Sequence, residues 1–584
     1  MSGEGGSYVG RHGDGASEVV TDDLLAAARE WIDDDPDPQT RGELHQLVDL
    51  SERGGPVAAA ARAEIADRFS GMLEFGTAGL RGTIGAGPRR MNRAVVIRAA
   101  AGLAAWLLAR HDAPDTPTVV VGLDARRRSD DFARDTAAVL TAAGCRAIVL
   151  PRPLPTPVLA FAIRHLGADA GVMVTASHNP KDDNGYKVYL GDGSQIVPPV
   201  DVEIAGRIAA VARVADVPRA DDGWEVAGDD VLDAYLERAV AVTEFGAPRE
   251  VTVVHTALHG VGGETVRRAF VEAGFPEPVA VTEQAQPDPA FPTVAFPNPE
   301  EDGALDLALA RAREIGADLV VASDPDADRC AAAVPDARVE GGWRLLRGDE
   351  LGALLASHLI VRGVPDGGVL ACSIVSSRLL ASMAAQVGVR HVETLTGFKW
   401  IARVEGLHYG YEEALGYCVA PEVVRDKDGI TAALLVAELA AILKSQGRSL
   451  LDVLDDLAQQ HGVHATDAFS VRVDDLALIA TVMDRLRATP PTELAGTAVT
   501  RVDDLRDPRP GADGAVLPPT EGLRWFLEDG TRVIVRPSGT EPKLKVYLEA
   551  IEPVVGREDL AAARGRADDR LRRVRSATAA LTRV

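Results

Sequence analysis

The chain has 584 residues, enough for roughly four domains of ordinary size, and its 46% apolar content allows several hydrophobic cores. A formal net charge of −25 argues against a nucleic-acid or anionic-membrane surface, since both need clustered positive charge. A phosphate ligand would therefore need a locally basic cleft.

Residues 1–17 are Gly-rich and polar, lack the apolar centre of a signal peptide, and read as a disordered tail. Residues 22–68 read as a helical arm, with Trp31, Leu44, Leu47 and Leu50 at spaced apolar positions and an Asp-Pro-Asp-Pro break near the front. From about Phe75, strands alternate with helices: a strand over 118–122, an Ala-rich helix to Ala143, a strand over 145–150, a helix over 157–166 and a strand over 170–175. This cadence predicts a parallel or mixed sheet with helices on both faces. The segment Thr175-Ala-Ser177-His178-Asn179-Pro180 lies at a strand end, where open α/β sheets bind ligands. It is not a GxSxG elbow, and taken alone it is as easily an ordinary capped turn. Asn184-Gly185-Tyr186-Lys187 reads as a further turn.

The strand-then-helix cadence returns at 250–255 and 264–273. Gly260-Val-Gly262-Gly263 between them lacks the full GxGxxG spacing and reads as a tight structural turn. An apolar run over 317–323, read as a buried strand, leads into Asp324-Pro-Asp326-Ala-Asp328-Arg329. In extended backbone, alternate residues point the same way, so the three carboxylates would converge and form a hard-oxygen site suited to Mg2+. A solvated acidic turn is the plain alternative. An EF-hand is excluded because Arg329 and Pro335 stand where Gly and Glu are required, while a phosphatase with an aspartyl nucleophile stays open on these residues alone.

A third unit begins with a strand over 368–372 and a helix through Val387. Near the C-terminus, two strand-like runs flank an Asp-Gly turn over 524–535 and a third follows at 544–549. The expected fold is α/β: three related mixed-sheet α/β domains plus a C-terminal antiparallel α+β domain around a central cleft. The boundaries are read as tail and arm over 1–70, then domains over 71–225, 226–345, 346–462 and 463–584.

Cys145, Cys330, Cys372 and Cys418 have neither CxxC nor Cys/His spacing, so no zinc site or disulfide framework is expected, and a reducing, cytoplasmic setting fits. No apolar run is long enough to span a bilayer. Lysine is scarce, seven among 62 basic residues: Lys181, Lys187, Lys399, Lys427, Lys444, Lys543 and Lys545. Most lie within or near the motifs, as expected if a compact, titratable ammonium is needed beside phosphates; chance clustering is the alternative.

Four segments in order resemble the α-D-phosphohexomutase family: Thr175 to Pro180, Asp324 to Arg329, Gly410-Tyr411-Glu412-Glu413-Ala414-Leu415-Gly416-Tyr417, and Arg536-Pro537-Ser538-Gly539-Thr540-Glu541-Pro542. Phe75-Gly-Thr-Ala-Gly-Leu-Arg81-Gly82 also resembles that family's N-terminal signature, so the resemblance covers about 75–549. The glutamate segment and Thr396-Gly-Phe398-Lys399-Trp400 look most like long bacterial phosphoglucomutases and their phosphopentomutase relatives.

The resemblance implies that Ser177 is a phosphoserine, and that Asp324, Asp326 and Asp328 bind one Mg2+ with a phosphoserine oxygen completing the protein-side ligands. Arg329 would offset repulsion nearby. Arg81 and Lys187 are implied close to the transferred group, for proton shuttling or charge stabilisation, and burial is expected to bring Lys187 nearer neutrality. His178 orients the phosphoserine or satisfies its turn. Glu413, with Glu412, grips sugar hydroxyls or forms a rim ion pair, and Leu415 stands where relatives often carry Ser. Lys399 approaches a phosphate or sugar oxygen, or lies on the surface beside Trp400. Arg536, Ser538, Gly539 and Thr540 suit a phosphate monoester, an ordinary hairpin loop being the alternative.

The implied reaction moves phosphate between C1 and C6 of a hexose phosphate, glucose first, with a sugar bisphosphate as activator. A phosphopentomutase or phosphomannomutase is the runner-up, and a binding regulator without turnover is the reading from another class. The expected partner is a small-molecule sugar phosphate, with no nucleic acid and no membrane, on a monomer or small homo-oligomer.

Overall fold

The computed structural model describes residues 22–73, 79–111, 115–473, 476–507, 517–538 and 543–583. The tail over 1–17, residues 75–78 of the N-terminal signature, and Gly539 and Thr540 of the phosphate loop lie outside the described residues.

The arm is three helices, Asp22–Asp34, Pro38–Ser51 and Gly55–Arg68. The second starts where it does because the Asp37 carboxylate accepts from Gln39 N and Pro38 occupies the first turn. Ala28, Ile32, Leu44, Val48 and Ile65 form a small core that also takes Ala86 from the next domain. Asp37 pairs with Arg128, and Asp34 accepts from Val214 N (2.7 Å) and Ala215 N (2.9 Å). The arm is thus fastened along the first α/β domain.

That domain is a six-stranded mixed sheet in spatial order Leu80–Thr83, Asp183–Leu190, Ala170–Val174, Thr118–Leu123, Arg146–Val149 and Glu225–Val226. The three strands read from sequence are parallel neighbours. The turn expected at Asn184 to Lys187 is instead the middle of strand Asp183–Leu190, antiparallel to Ala170–Val174, with Lys187 opposite Met173. The reason is burial on alternate positions: Tyr186 and Val188 enter the core on one face, which leaves Lys187 on the other. Gly185 is extended and packed, since a Cβ there would lie 2.5 Å from Thr175 O and 2.8 Å from Leu80 O.

The second sheet runs Trp343–Leu345, Cys330–Pro335, Leu319–Ser323, Val253–Thr256, Val279–Ala280, and the third Arg390–Thr394, Val369–Ser373, Leu407–Glu412, Gly416–Cys418; both are mixed. The last sheet is antiparallel, with Val463–Arg472 paired to Lys543–Glu552 along its whole length. One core cluster passes from Val120 through Phe270 to Leu370, so the first three domains share an apolar interior. Helix Gly429–Ser445, buried on every side at Ile430, Leu434, Leu435 and Val436, fills its centre.

The fourth domain has its own core, closed by helix Leu560–Leu581. Its seam with the third is partly ionic. Buried Glu549 accepts from Ser377 Oγ (2.9 Å), Arg378 N (2.8 Å) and Arg378 Nε (2.6 Å), and pairs with Arg532 at 3.2 Å. All four cysteines are free and buried. Among the described residues, no single helix is long and apolar enough to cross a membrane.

Candidate active site

Strand Ala170–Val174 delivers the serine loop. Ser177 is 2% exposed and takes the left-handed conformation at φ 51, uncommon for a residue other than glycine, with its N–H on Thr175 Oγ1 at 2.9 Å. Strand Leu319–Ser323 stops before the aspartates. The three carboxylates converge through a tight turn rather than the extended alternation expected: Ala327 N donates to Asp324 O at 2.9 Å and Ala327 has φ 54. Pro325, with its restricted φ, starts this turn. The Gly260 loop holds it, with Val261 N on Pro325 O at 2.9 Å and no room for a Cβ at Gly260, which would lie 2.4 Å from Pro325 Cα. Gly260 and Gly262 pack directly against the aspartate turn, and Gly263 against Ala285.

These two turns meet. Ser177 Oγ donates to Asp324 Oδ2 at 2.7 Å, and His178 Nδ1 is 3.3 Å from the same hydroxyl. Carboxylate oxygens of Asp324, Asp326 and Asp328, all fully buried, lie within 4.8 Å of one another. Lys187 Nζ donates to Asp326 Oδ2 (2.7 Å) and Asp328 Oδ2 (3.0 Å), Thr156 Oγ1 to Asp326 Oδ2 (2.6 Å), and Lys427 Nζ lies 3.3 Å from Asp328 Oδ2.

The other oxygens, Asp326 Oδ1 and Asp328 Oδ1, are buried without a hydrogen-bond partner. Orphaned buried carboxylate oxygens are costly, and a hard divalent cation is the group that satisfies them, so the donor set fits Mg2+.

Charge balance explains the titration of the cluster. Burial, then Asp326 and Asp328, push Asp324 well above the usual carboxylate range. Burial opposes ionisation of Asp326 and Asp328 too, but Lys187 and, for Asp328, also Lys427 outweigh it and hold both below that range. The expectation for Lys187 is corrected here. Burial disfavours its ammonium, yet the two aspartates outweigh burial and hold it above its ordinary value. His178 is held well below the usual imidazole value by burial and by the charges of Arg329 and Arg81, so it is neutral. Arg329 Nε stands 3.8 Å from both Asp324 and Asp328, and Arg81 donates to Asn179 Oδ1 at 2.8 Å.

The third domain brings Glu412 and Glu413 to the same cleft at the end of strand Leu407–Glu412. Glu413 Oε2 accepts from Ser373 Oγ (3.1 Å) and Ser376 Oγ (3.3 Å), which fix it, while Lys427 and Arg329 are charged neighbours of Glu412. Leu415, at φ 65 and 2% exposed, borders a cavity of about 280 Å³ together with Glu300, Asp349, Glu413 and Tyr547. From the fourth domain, Arg536 stands next to last on strand Arg532–Pro537 beside Tyr547, Ser538 N closes the base of its loop on Lys543 O at 2.8 Å, and Lys545 brings its charge towards His178.

Among the described members of the predicted set, Lys399 lies against the Trp400 ring, with Asp201 and Arg403 as its charged neighbours. Its neighbour Phe398 has its ring 5.5 Å from Lys427 Nζ. Sequence reasoning passed over Lys427 and Thr156. The scarcity of lysine already pointed to Lys427, which belongs to Arg425-Asp-Lys-Asp-Gly429; nothing local marked Thr156.

Known protein families match this chain domain by domain. The descriptions "Phosphoglucomutase/phosphomannomutase, alpha/beta/alpha domain I", "domain II" and "domain III" match residues 72–214, 233–339 and 347–461, and the C-terminal domain of the same family matches 470–562. A Haemophilus influenzae protein named "Probable phosphomannomutase" is 47% identical over 79% of this chain and 93% of its own length. Human "Phosphopentomutase" is 35% identical over 85% of this chain and 88% of its own. The crystal structure of a phosphoglucomutase/phosphomannomutase family protein from Burkholderia thailandensis shares the fold, with a TM-score of 0.64 at 22% identity over 86% of this chain and 97% of that one.

Proposed function

The chain belongs to the phosphoglucomutase/phosphomannomutase family of intramolecular phosphotransferases, and from that premise we propose that it interconverts glucose 1-phosphate and glucose 6-phosphate through a phosphorylated Ser177. The observation that carries the reading is the 2.7 Å approach of Ser177 Oγ to Asp324, beside two buried carboxylate oxygens with no partner.

Ser177 gives its phosphoryl group to the free sugar hydroxyl: the new O–P bond forms as the Ser177 Oγ–P bond breaks. The sugar hydroxyl gives up its proton as that bond forms and the released Ser177 Oγ takes one up, so the step is neutral in protons; His178 Nδ1, 3.3 Å from Ser177 Oγ, stands beside this leaving oxygen. Lys187, hydrogen-bonded to Asp326 and Asp328, lends charge beside them. The resulting sugar bisphosphate turns round and returns its other phosphoryl group to Ser177, and added bisphosphate re-primes an enzyme that has lost its phosphate. Asp324, Asp326 and Asp328 would hold Mg2+, which supplies compact positive charge to the transferring oxygens. Glu413 grips the sugar hydroxyls, and Arg536 and Ser538 with Gly539 and Thr540 hold the non-reacting phosphate. Closure of the fourth domain over the cleft excludes water that would drain the phosphoenzyme.

The names of the two relatives favour a second reading, the same machinery acting on a mannose or pentose phosphate. Kinetics with glucose-, mannose- and ribose-1-phosphate side by side decide between them. Ser177→Ala is expected to abolish turnover on every sugar and to lose the single phosphate seen by intact mass. Near-wild-type turnover in that variant overturns the carrier assignment.

A further inference from the structure

Arg126 follows strand Thr118–Leu123 and is 4% exposed, with Asp324 and Asp326 among its charged neighbours. Both of its terminal nitrogens are committed to main-chain carbonyls of that loop. Nη1 donates to Pro180 O (2.7 Å) and Asp183 O (3.1 Å), and Nη2 to Ser177 O (2.5 Å) and Asn179 O (2.6 Å). Such a grip on four carbonyls holds a loop whose central residue, Ser177, has an unfavoured left-handed backbone.

The guanidinium is in turn held on two sides. Asp124 Oδ1 accepts from Arg126 N at 3.0 Å and from Ser129 Oγ at 2.8 Å, and the Asp124 carboxylate lies 3.4 Å from Arg126 Nε. From the second domain, the Phe291 ring lies 5.1 Å from Arg126 Cζ. Phe291 is 3% exposed, has φ 46, and meets His259 edge to face at 6.5 Å. His259 directly precedes Gly260, whose backbone abuts Pro325 of the aspartate turn. A continuous line of contacts therefore joins the serine loop to the aspartate turn, on two different domains, outside the reacting atoms.

We propose that Arg126 is a positioning residue that, braced by Asp124 and Phe291, sets the Ser177 loop so that its hydroxyl lands on Asp324. This rests on the assignment of Ser177 as the phosphate carrier. Arg126 acts on the carrier and leaves the sugar-holding groups of the third and fourth domains alone, so its loss lowers kcat and spares KM. A displacement on the ångström scale at a reacting group lowers turnover roughly 100-fold.

The test is steady-state mutase kinetics on Arg126→Gln, Arg126→Lys and Phe291→Leu, with circular dichroism for folding and intact mass for phosphate taken from a sugar bisphosphate. Arg127→Gln, which removes only a surface pair with Asp182, is the control. The expected result is a kcat loss of roughly 100-fold for Arg126→Gln and a smaller loss for Arg126→Lys, with KM within about twofold and phosphate uptake slowed in parallel. Phe291→Leu loses less, and its loss combined with Arg126→Lys falls short of the sum, because the two side chains touch.

If the glutamine variant does not fold, the lysine variant decides. A folded Arg126 variant with kcat within twofold of wild type, a rise in KM at constant kcat, or an equal loss in Arg127→Gln overturns the proposal. Failure of the carrier assignment itself is distinguishable, since Ser177→Ala would then stay active whatever Arg126 does.

Discussion

Replacing Lys187 with methionine keeps the side-chain stem and removes an ammonium lying 2.7 Å from Asp326 and 3.0 Å from Asp328. At an effective dielectric of about 20, each contact represents about 5–6 kcal/mol of gross attraction. Desolvation cancels part of it, and taking one partner from a buried ion pair costs about 3–5 kcal/mol net. The metal-free variant should be less stable by that amount in urea denaturation with EDTA present. Mg2+ should do the reverse, because the ammonium repels the cation and competes for Asp326 Oδ2 and Asp328 Oδ2. Its affinity by calorimetric titration should tighten about tenfold, equivalent to about 1.4 kcal/mol. With Mg2+ at about 100 times its Kd, binding restores about 2.7 kcal/mol of the lost stability. An EDTA-treated variant as stable as wild type, or one that binds Mg2+ more weakly, refutes the view that these carboxylates are balanced for a cation.

A pH effect is expected at Asp349, whose carboxyl burial lifts from 3.8 to about 7, opposed by the Ser377 N–H and reinforced by Glu413 and Glu549. The folded state binds the extra proton, so this stabilisation is complete below the unfolded value and is lost as pH rises through about 7, at up to about 1.4 kcal/mol per pH unit. Asp349→Asn should flatten urea stability across that window, and an unchanged slope removes Asp349 as its source. Gly185→Ala places a methyl 2.5 Å from one carbonyl oxygen and 2.8 Å from another, both backbone and unable to move aside. A loss of about 1–3 kcal/mol and a sharp drop in turnover are expected, and a variant that melts and turns over like wild type contradicts the packing described.

The parallel strands of the first domain were legible because apolar runs of β-branched residues announce buried strands, and the antiparallel end because an Asp-Gly turn sits between two of them. Asn184-Gly185 misled for a physical reason: the pair signals a turn only when its backbone adopts left-handed angles, and here neighbouring strands hold it extended. The aspartate triplet was recognised by spacing, although a turn, rather than a pleat, gathers it. Lys187 was singled out by its scarcity, but its charge state depends on two aspartates some 140 positions away in sequence, as its contacts with separations of 139 and 141 show. Arg126 and Thr156 belong to the same class of residue, since their partners are brought close only by the fold and no local pattern marks them.

The four cysteines divide unevenly: Cys145 in the first domain, Cys330 in the second, Cys372 and Cys418 in the third. Burial pushes the Cys145 thiol up to about 11 and the Cys330 thiol up to about 12, with the other two also raised. An alkylating reagent meets no ready thiolate in the native fold, so each sulfur reacts only when its surroundings come apart. The unaltered chain thus carries its own stopwatches for the breathing of three lobes, and peptide mapping of alkylation over time reads them separately.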